Sequence, residues 1–125
     1  MNITLDNFKN INLKHKIWLE SKNGESIFGD GKYQLLKAIE QEGSFVGAIE
    51  KLGLSYRKTW NKLKDIEKKL GFSLLETTRG GATGGSSVLT SEAKKMITAF
   101  DNFHNNIDAI INLAFKEFYN ELIKN

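Results

Sequence analysis

The sequence contains no cysteine and no proline. Without cysteine there is no disulfide, no thiolate-bound metal and no cysteine nucleophile, and the composition fits a reducing compartment. Without proline, nothing covalently interrupts a long helix. Long apolar runs are missing too, and none approaches the ~20 residues that span a bilayer. The first twelve residues, MNITLDNFKNIN, lack a basic start followed by an apolar stretch. No secretory signal is therefore expected, and the cytoplasm is the expected location. Histidine is scarce: His15 and His104 stand alone, with no second ligand at metal spacing. No Ser/His/Asp order and no carboxylate pair occurs in a catalytic setting. The expectations are no metal, no cofactor, no small-molecule site, no membrane span and no enzymatic chemistry.

What is present is ordinary globular material. The 125 residues suffice for one core, with 40% hydrophobic and 10% aromatic residues. The net charge is only +3, but it is unevenly spread. Residues 51–70 hold seven cations (Lys51, Arg57, Lys58, Lys62, Lys64, Lys68, Lys69) against Asp65 and Glu67, a net +5 that leaves −2 for the rest. A focused cationic stretch on a mildly acidic body is the footprint of a polyanion binder. On charge alone, a solvated helix face explains it equally well.

The pattern along the chain supplies more. Leu13 to Glu20 and Glu25 to Phe28 read as two strands around the Asn23-Gly24 turn signal. Asp30 is placed to cap a helix over Lys32 to Gln41, which Gly43 ends. Ser44 caps a short helix, Phe45 to Leu52, and Gly53-Leu54 forms a tight turn. Ser55 caps a longer helix, Tyr56 to Leu70, which Gly71 closes. Its inward stripe is Thr59, Leu63, Ile66 and Leu70, at steps of 4, 3 and 4. Phe72 to Glu76 and Val88-Leu89 read as strands flanking a Gly-rich tip, and Thr90 or Ser91 caps a last helix running to about Lys124.

Two close helices, the second basic, followed by a strand–glycine loop–strand, suit the reading of DNA. One helix fits the major groove, and its amino-terminal N–H groups favour phosphate. Ser55, Tyr56, Arg57 and Lys58 occupy that end. Arg57, Asn61, Lys64 and Lys68 lie opposite the apolar stripe. Arg57 suits guanine and Asn61 suits adenine, whereas Lys58, Lys62 and Lys64 suit phosphates. The Gly-rich hairpin is the expected wing, with Arg79 and Thr83 as its contacts. Trp60 is read as packing, and Tyr56 stands between packing and contact. The GGATGG loop lacks the Gly-Lys-Ser/Thr ending of a P-loop, so nucleotide binding is not expected.

The last helix carries Ala93, Met96, Ile97, Phe100, Phe103, Ile107, Ile110, Ile111, Ala114, Phe118 and Leu122 at steps of mostly 3 and 4. About 30 residues span ~45 Å, more than this body needs. The surplus apolar stripe calls for a partner, and a symmetric dimer through residues 91–123 is expected. The alternative is that the helix folds back on its own domain.

GSFVGAIEKLGLSYRKTWNKLKDIEKKLGFSLLE, followed by TRGGATGGSSVLT, resembles the N-terminal DNA-binding domain of ModE-type molybdate-responsive regulators, a winged-helix unit related to that of LysR-type regulators. The pieces that carry the resemblance are Leu54-Ser55-Tyr56-Arg57 with Trp60, the pairs Gly80-Gly81 and Gly84-Gly85, and Leu89-Thr90. Ile17-Trp18-Leu19-Glu20 and Phe28-Gly29-Asp30-Gly31 match its leading hairpin and helix entry. Gly47 departs from the alanine typical there, at about 1 kcal/mol of helix preference.

The resemblance implies a dimer joined through helices, with Ser55, Tyr56, Arg57 and Asn61 in the groove and residues 79–85 as wing. Family members also carry C-terminal oxyanion-binding domains that sense molybdate. No such segment lies within these residues, so no molybdate site transfers and a standalone regulator is expected. The overall expectation is an α+β, mostly α, winged helix-turn-helix with an N-terminal β-hairpin, a β wing and a long C-terminal dimerisation helix. Residues 1–90 would form the DNA-binding domain and 91–125 the pairing helix. Function would be sequence-specific binding of double-stranded DNA as a homodimer, or else protein interaction through the same fold without sequence-specific DNA binding.

Overall fold

The structure, a computed structural model, describes residues 2–78 and 86–124. It divides into two compact units, one of Lys16–Phe100 and one of Met1–His15 with Asp101–Asn125. The expected α+β, mostly helical winged helix-turn-helix is the fold observed.

The Lys16–Phe100 unit opens with an antiparallel hairpin, β1 (Trp18–Glu20) and β2 (Ser26–Gly29). The turn closes where Gly24 N donates to Ser21 O (2.9 Å) and Ser21 N to Glu25 O (2.8 Å). β1 is shorter than the sequence suggests. Pairing begins only at Trp18, opposite Gly29, because β2 ends there and α1 (Asp30–Glu42) begins. Residues before Trp18 have no strand left to pair with. The start of α1 also differs from expectation. Gly29 is the cap, and Asp30 sits inside the first turn, where its carboxylate complements the helix dipole.

Gly29 is required for a steric reason. A Cβ built there would lie 2.6 Å from Trp18 Cβ and 2.9 Å from Ile17 O, closer than real contacts allow.

α2 (Phe45–Leu52) and α3 (Tyr56–Leu70) begin as expected. Ser44 Oγ accepts from Gly47 N at 3.0 Å, and Ser55 Oγ accepts from Lys58 N at 3.3 Å, each satisfying an otherwise orphan donor. β3 (Leu75–Thr78) and β4 (Ser86–Leu89) pair antiparallel from Leu75↔Leu89 to Thr78↔Ser86. α4 then covers Ser91–Ile123.

One core joins these elements. Phe28, Leu36, Ile39, Phe45, Leu63 and Leu74 are its largest fully buried side chains. Each such side chain contributes about 1.5–3 kcal/mol by leaving water. The first turns of α4 add Ala93, Ile97 and Phe100, and the Phe100 ring meets Phe28 edge-on at 5.1 Å. Thr90 is the buried polar residue at the entry to α4. Its hydroxyl donates to Ser73 O (2.7 Å) and accepts from Ala93 N (3.1 Å), while its own N–H donates to Leu74 O (3.0 Å). That threonine is both the cap of α4 and the tie to the residues before β3.

In the second unit, a 3-10 turn at Leu5–Phe8 lies along the later part of α4, an arrangement the sequence pattern did not suggest. Phe8 stacks on Tyr119 at 5.5 Å, and Tyr119 meets Phe115 edge-on at 5.4 Å. Elsewhere on α4, Ile110 (66% exposed), Leu113 (62%) and Phe118 (56%) face solvent, with Phe103 and Leu122 also exposed. Among the described residues, no helix is long and apolar enough to cross a membrane.

Gly29→Ala should destabilise the fold by about 1–3 kcal/mol through overpacking at the β1–β2 pairing. Urea unfolding measures this, and a midpoint equal to wild type would show that the strands can separate at no cost.

Candidate nucleic-acid interface

The turn between α2 and α3 is built from two crossed backbone hydrogen bonds. Gly53 N donates to Glu50 O (3.3 Å), and Leu54 N donates to Ile49 O (3.1 Å). This Schellman arrangement needs a left-handed residue, and Gly53 has φ 65°. It stops α2 and lets α3 start three residues later, at Tyr56.

α3 is anchored by Leu63 and Ile66, both buried, with Trp60 and Leu70 packed at the core's edge. Ser55, Tyr56, Arg57, Lys58, Asn61, Lys62 and Lys64 are all exposed. Helical spacing puts Arg57, Asn61, Lys64 and Lys68 on the face opposite the anchor, and Lys58 and Lys62 on its flank. Arg79 and Thr83 lie outside the described residues, so the wing contacts read from the sequence have no described position.

The exposed cations are not equivalent. Lys64 Nζ lies 3.0 Å from Glu67 Oε1 and 4.6 Å from the centre of the Trp60 ring. Lys69 bridges Asp65 (2.8 Å) and Glu25. These lysines are held by the protein itself. Among the described residues, Arg57, Lys58, Lys62 and Lys68 have no ion-pair partner.

Lys62 has a neighbour that the sequence did not single out. It lines the same depression as Lys32, from the first turn of α1. Partial burial, and next the charge of Lys62, hold the Lys32 ammonium below its ordinary range. Asp65 lines the same depression, so the two ammoniums share it with one carboxylate. Only the packing of α1 beside α3 reveals the pair.

The aromatic residues at the front of α3 form a ladder. Phe45, fully buried, meets Tyr56 (5.2 Å) and Trp60 (5.4 Å) edge-on, and Tyr56 lies parallel to Trp60 at 6.2 Å. Trp60 therefore packs, while Tyr56, 51% exposed, is held over it beside Arg57.

Glu67 was counted in the sequence only as a negative charge. Its carboxylate accepts from Leu74 N (2.6 Å) and Leu75 N (3.0 Å), the residues that open β3. This explains why β3 starts at Leu75 rather than Phe72: the intervening backbone turns back onto α3. Partial burial alone would raise the Glu67 pKa. The N–H groups of Leu75 and Leu74, with Lys64, outweigh burial and hold it below the ordinary carboxylate range.

The two histidines are likewise not isolated in space. His15 and His104 both approach Asp108.

A short helix, a tight left-handed turn, an exposed cationic helix and a following β-hairpin define a winged helix-turn-helix. The chain belongs to the bacterial regulatory helix-turn-helix proteins of the lysR family, whose pattern matches residues 31–94. It is also similar to molybdenum-linked regulators, as the sequence resemblance implied. It is 34% identical to the transcriptional regulator ModE of Haemophilus influenzae over 87 residues, covering 69% of this chain and 34% of that protein. It is 32% identical to the molybdenum-pterin-binding protein MopA of Rhodobacter capsulatus over 77 residues, 62% of this chain and 29% of that one. The DNA-binding transcriptional dual regulator ModE of Escherichia coli is 29% identical over 90 residues, 71% of this chain and 34% of the other. The chain thus spans about a third of the length of these curated relatives.

Glu67→Gln should cost about 1–3 kcal/mol, the range for a hydrogen-bonded charge and its buried donors. Because the folded-state pKa is depressed, the wild-type contribution is complete above the unfolded value near about 4.3. It fades as pH falls through the folded value. Chemical denaturation from pH 7 to pH 3 should show a shallower acid loss in the variant, and parallel curves would refute the assignment.

Proposed function

We propose that this protein is a sequence-specific double-stranded-DNA-binding transcriptional regulator acting as a homodimer, and a binding protein rather than an enzyme. The observation that carries the reading is the outer face of α3. Arg57, Asn61 and Lys68 stand exposed there, opposite the buried Leu63 and Ile66, directly after a helix-turn-helix turn. A helix so presented fits the major groove.

In this reading Arg57 and Asn61 contact base edges. Ser55 and Tyr56 sit at the groove entrance, and Lys58, Lys62 and Lys64 meet phosphates, with Lys32 joining Lys62. Lys64 would have to exchange Glu67 for phosphate, so it contributes less than Lys58 or Lys62. Arg79 and Thr83 touch the backbone from the wing. Residues 1–90 read DNA and 91–125 pair the subunits. Access to bacterial DNA implies a cytoplasmic protein. The exposed Ile110, Leu113 and Phe118 support pairing, because apolar side chains of this size gain most by leaving water together.

A second reading, a winged-helix protein-interaction module without sequence-specific DNA binding, draws on the exposed Val46, Leu52 and Leu54 around the turn. It predicts no duplex affinity even at low salt.

Duplexes selected from random DNA should bind this protein and carry half-sites spaced by whole turns of ~10 bp. On the selected duplex, Arg57→Ala should cost about 1–3 kcal/mol and relax preference at one position. Lys62→Ala should weaken all duplexes alike and lower the salt slope by about 1. Equal affinity for every sequence, untouched by Arg57→Ala, would sink the groove assignment. Pairing is tested separately by light scattering: wild type should be a dimer, and Ile110→Asp with Leu113→Asp a folded monomer. A monomeric wild type, or a variant that stays dimeric, contradicts pairing through this face.

A further inference from the structure

Three side chains able to bind a metal ion converge within the unit of Met1–His15 and Asp101–Asn125. His15 comes from the segment before β1, whereas His104 and Asp108 stand one turn apart on α4. One donor atom from each lies within 4.8 Å of the other two. His15 Nε2 is 3.1 Å, and His104 Nδ1 3.9 Å, from the same oxygen of Asp108, Oδ1. The imidazoles do not stack on one another. Their centres are 6.2 Å apart and their planes differ by 38°, so neither ring covers the other.

We propose that His15, His104 and Asp108 bind a divalent transition-metal ion of the zinc type, which fastens the segment before β1 to α4. Two ligands held at about 2.0–2.2 Å from zinc at a tetrahedral angle stand about 3.4 Å apart. The two distances to Asp108 bracket that spacing, so an ion enters with side-chain adjustments below an ångström at those pairs. Two imidazoles with one carboxylate match ions of intermediate softness and do not suit magnesium or calcium, which take oxygen ligands. The His104–Asp108 spacing of four residues lets one helical turn supply two donors from one face. His15 and His104 keep about a quarter of their side-chain surface in solvent, and Asp108 about half, which leaves an entry path. The remaining coordination position is open to water. The site is independent of the α3 surface, so it stands whether or not that surface reads DNA.

Zinc chloride titrated into chelator-stripped full-length protein tests this by calorimetry, with imidazole ring resonances followed by NMR. One ion per chain is expected, moving both the His15 and the His104 rings together. His15→Ala leaves α4 intact, as circular dichroism verifies, and should weaken zinc at least about tenfold, the smallest loss seen even for outer-shell partners. Asp108→Asn, which keeps the side-chain volume, should do the same. A smaller loss in both variants, or movement of one ring only, overturns the proposal and leaves a histidine–carboxylate contact in its place.

Discussion

The Glu67 carboxylate is the interaction on which the geometry of the Lys16–Phe100 unit turns. It closes the backbone of Leu74 and Leu75 onto the last part of α3 and at the same time engages Lys64. Leu63 and Ile66 fix how far α3 sinks into the core, but apolar packing alone does not fix where the chain goes next. A charged acceptor with two backbone donors does, because each bond is directional and costly to leave unmade when shielded from water. Thr90 completes the same junction from the other side, through Ser73 and Leu74. The helix proposed to enter the groove and the hairpin proposed to flank it are thereby held in one frame.

That frame also sorts the charges. Counting put a net +5 on residues 51–70. The structure spends part of it internally: Lys64 on Glu67 and the Trp60 ring, and Lys69 on Asp65 and Glu25. Among the described residues, α3 keeps Arg57, Lys58, Lys62 and Lys68 without an ion-pair partner, reinforced by Lys32 from α1, while Lys51 on α2 donates to Gln41. The cationic surface left for the proposed DNA contact is smaller than the sequence count suggests and spread over two elements.

The legible parts of the sequence were those set by local rules. Ser44 and Ser55 as caps, and Gly53 and Gly71 as left-handed ends, each act within a few residues, and α2 and α3 emerged with their expected bounds. The inward stripe of α3 followed from its period. The outcomes that escaped notice depend on distant partners. β3 begins late because of a carboxylate eight positions earlier in the chain. β1 begins late because its partner runs out at Gly29. Asp30 lost the cap position to a glycine that the hairpin needs for close approach. Leu5 and Phe8 stand three residues apart in a short, largely polar stretch, too little pattern to place them against α4. His15 and His104 could not be paired from spacing, since only the fold brings them to Asp108.

The segment around Phe8 bears on the proposed pairing of subunits. A long helix greasy on every side would associate in many registers and with many orientations, and such ambiguity ends in heterogeneous aggregates. Here the chain blocks one side of its own helix, with Phe8 seated on Tyr119. The strip containing Ile110 and Leu113 is left bare. For the proposed pairing, that shielding would act as a mask, leaving one stripe and thereby few geometries.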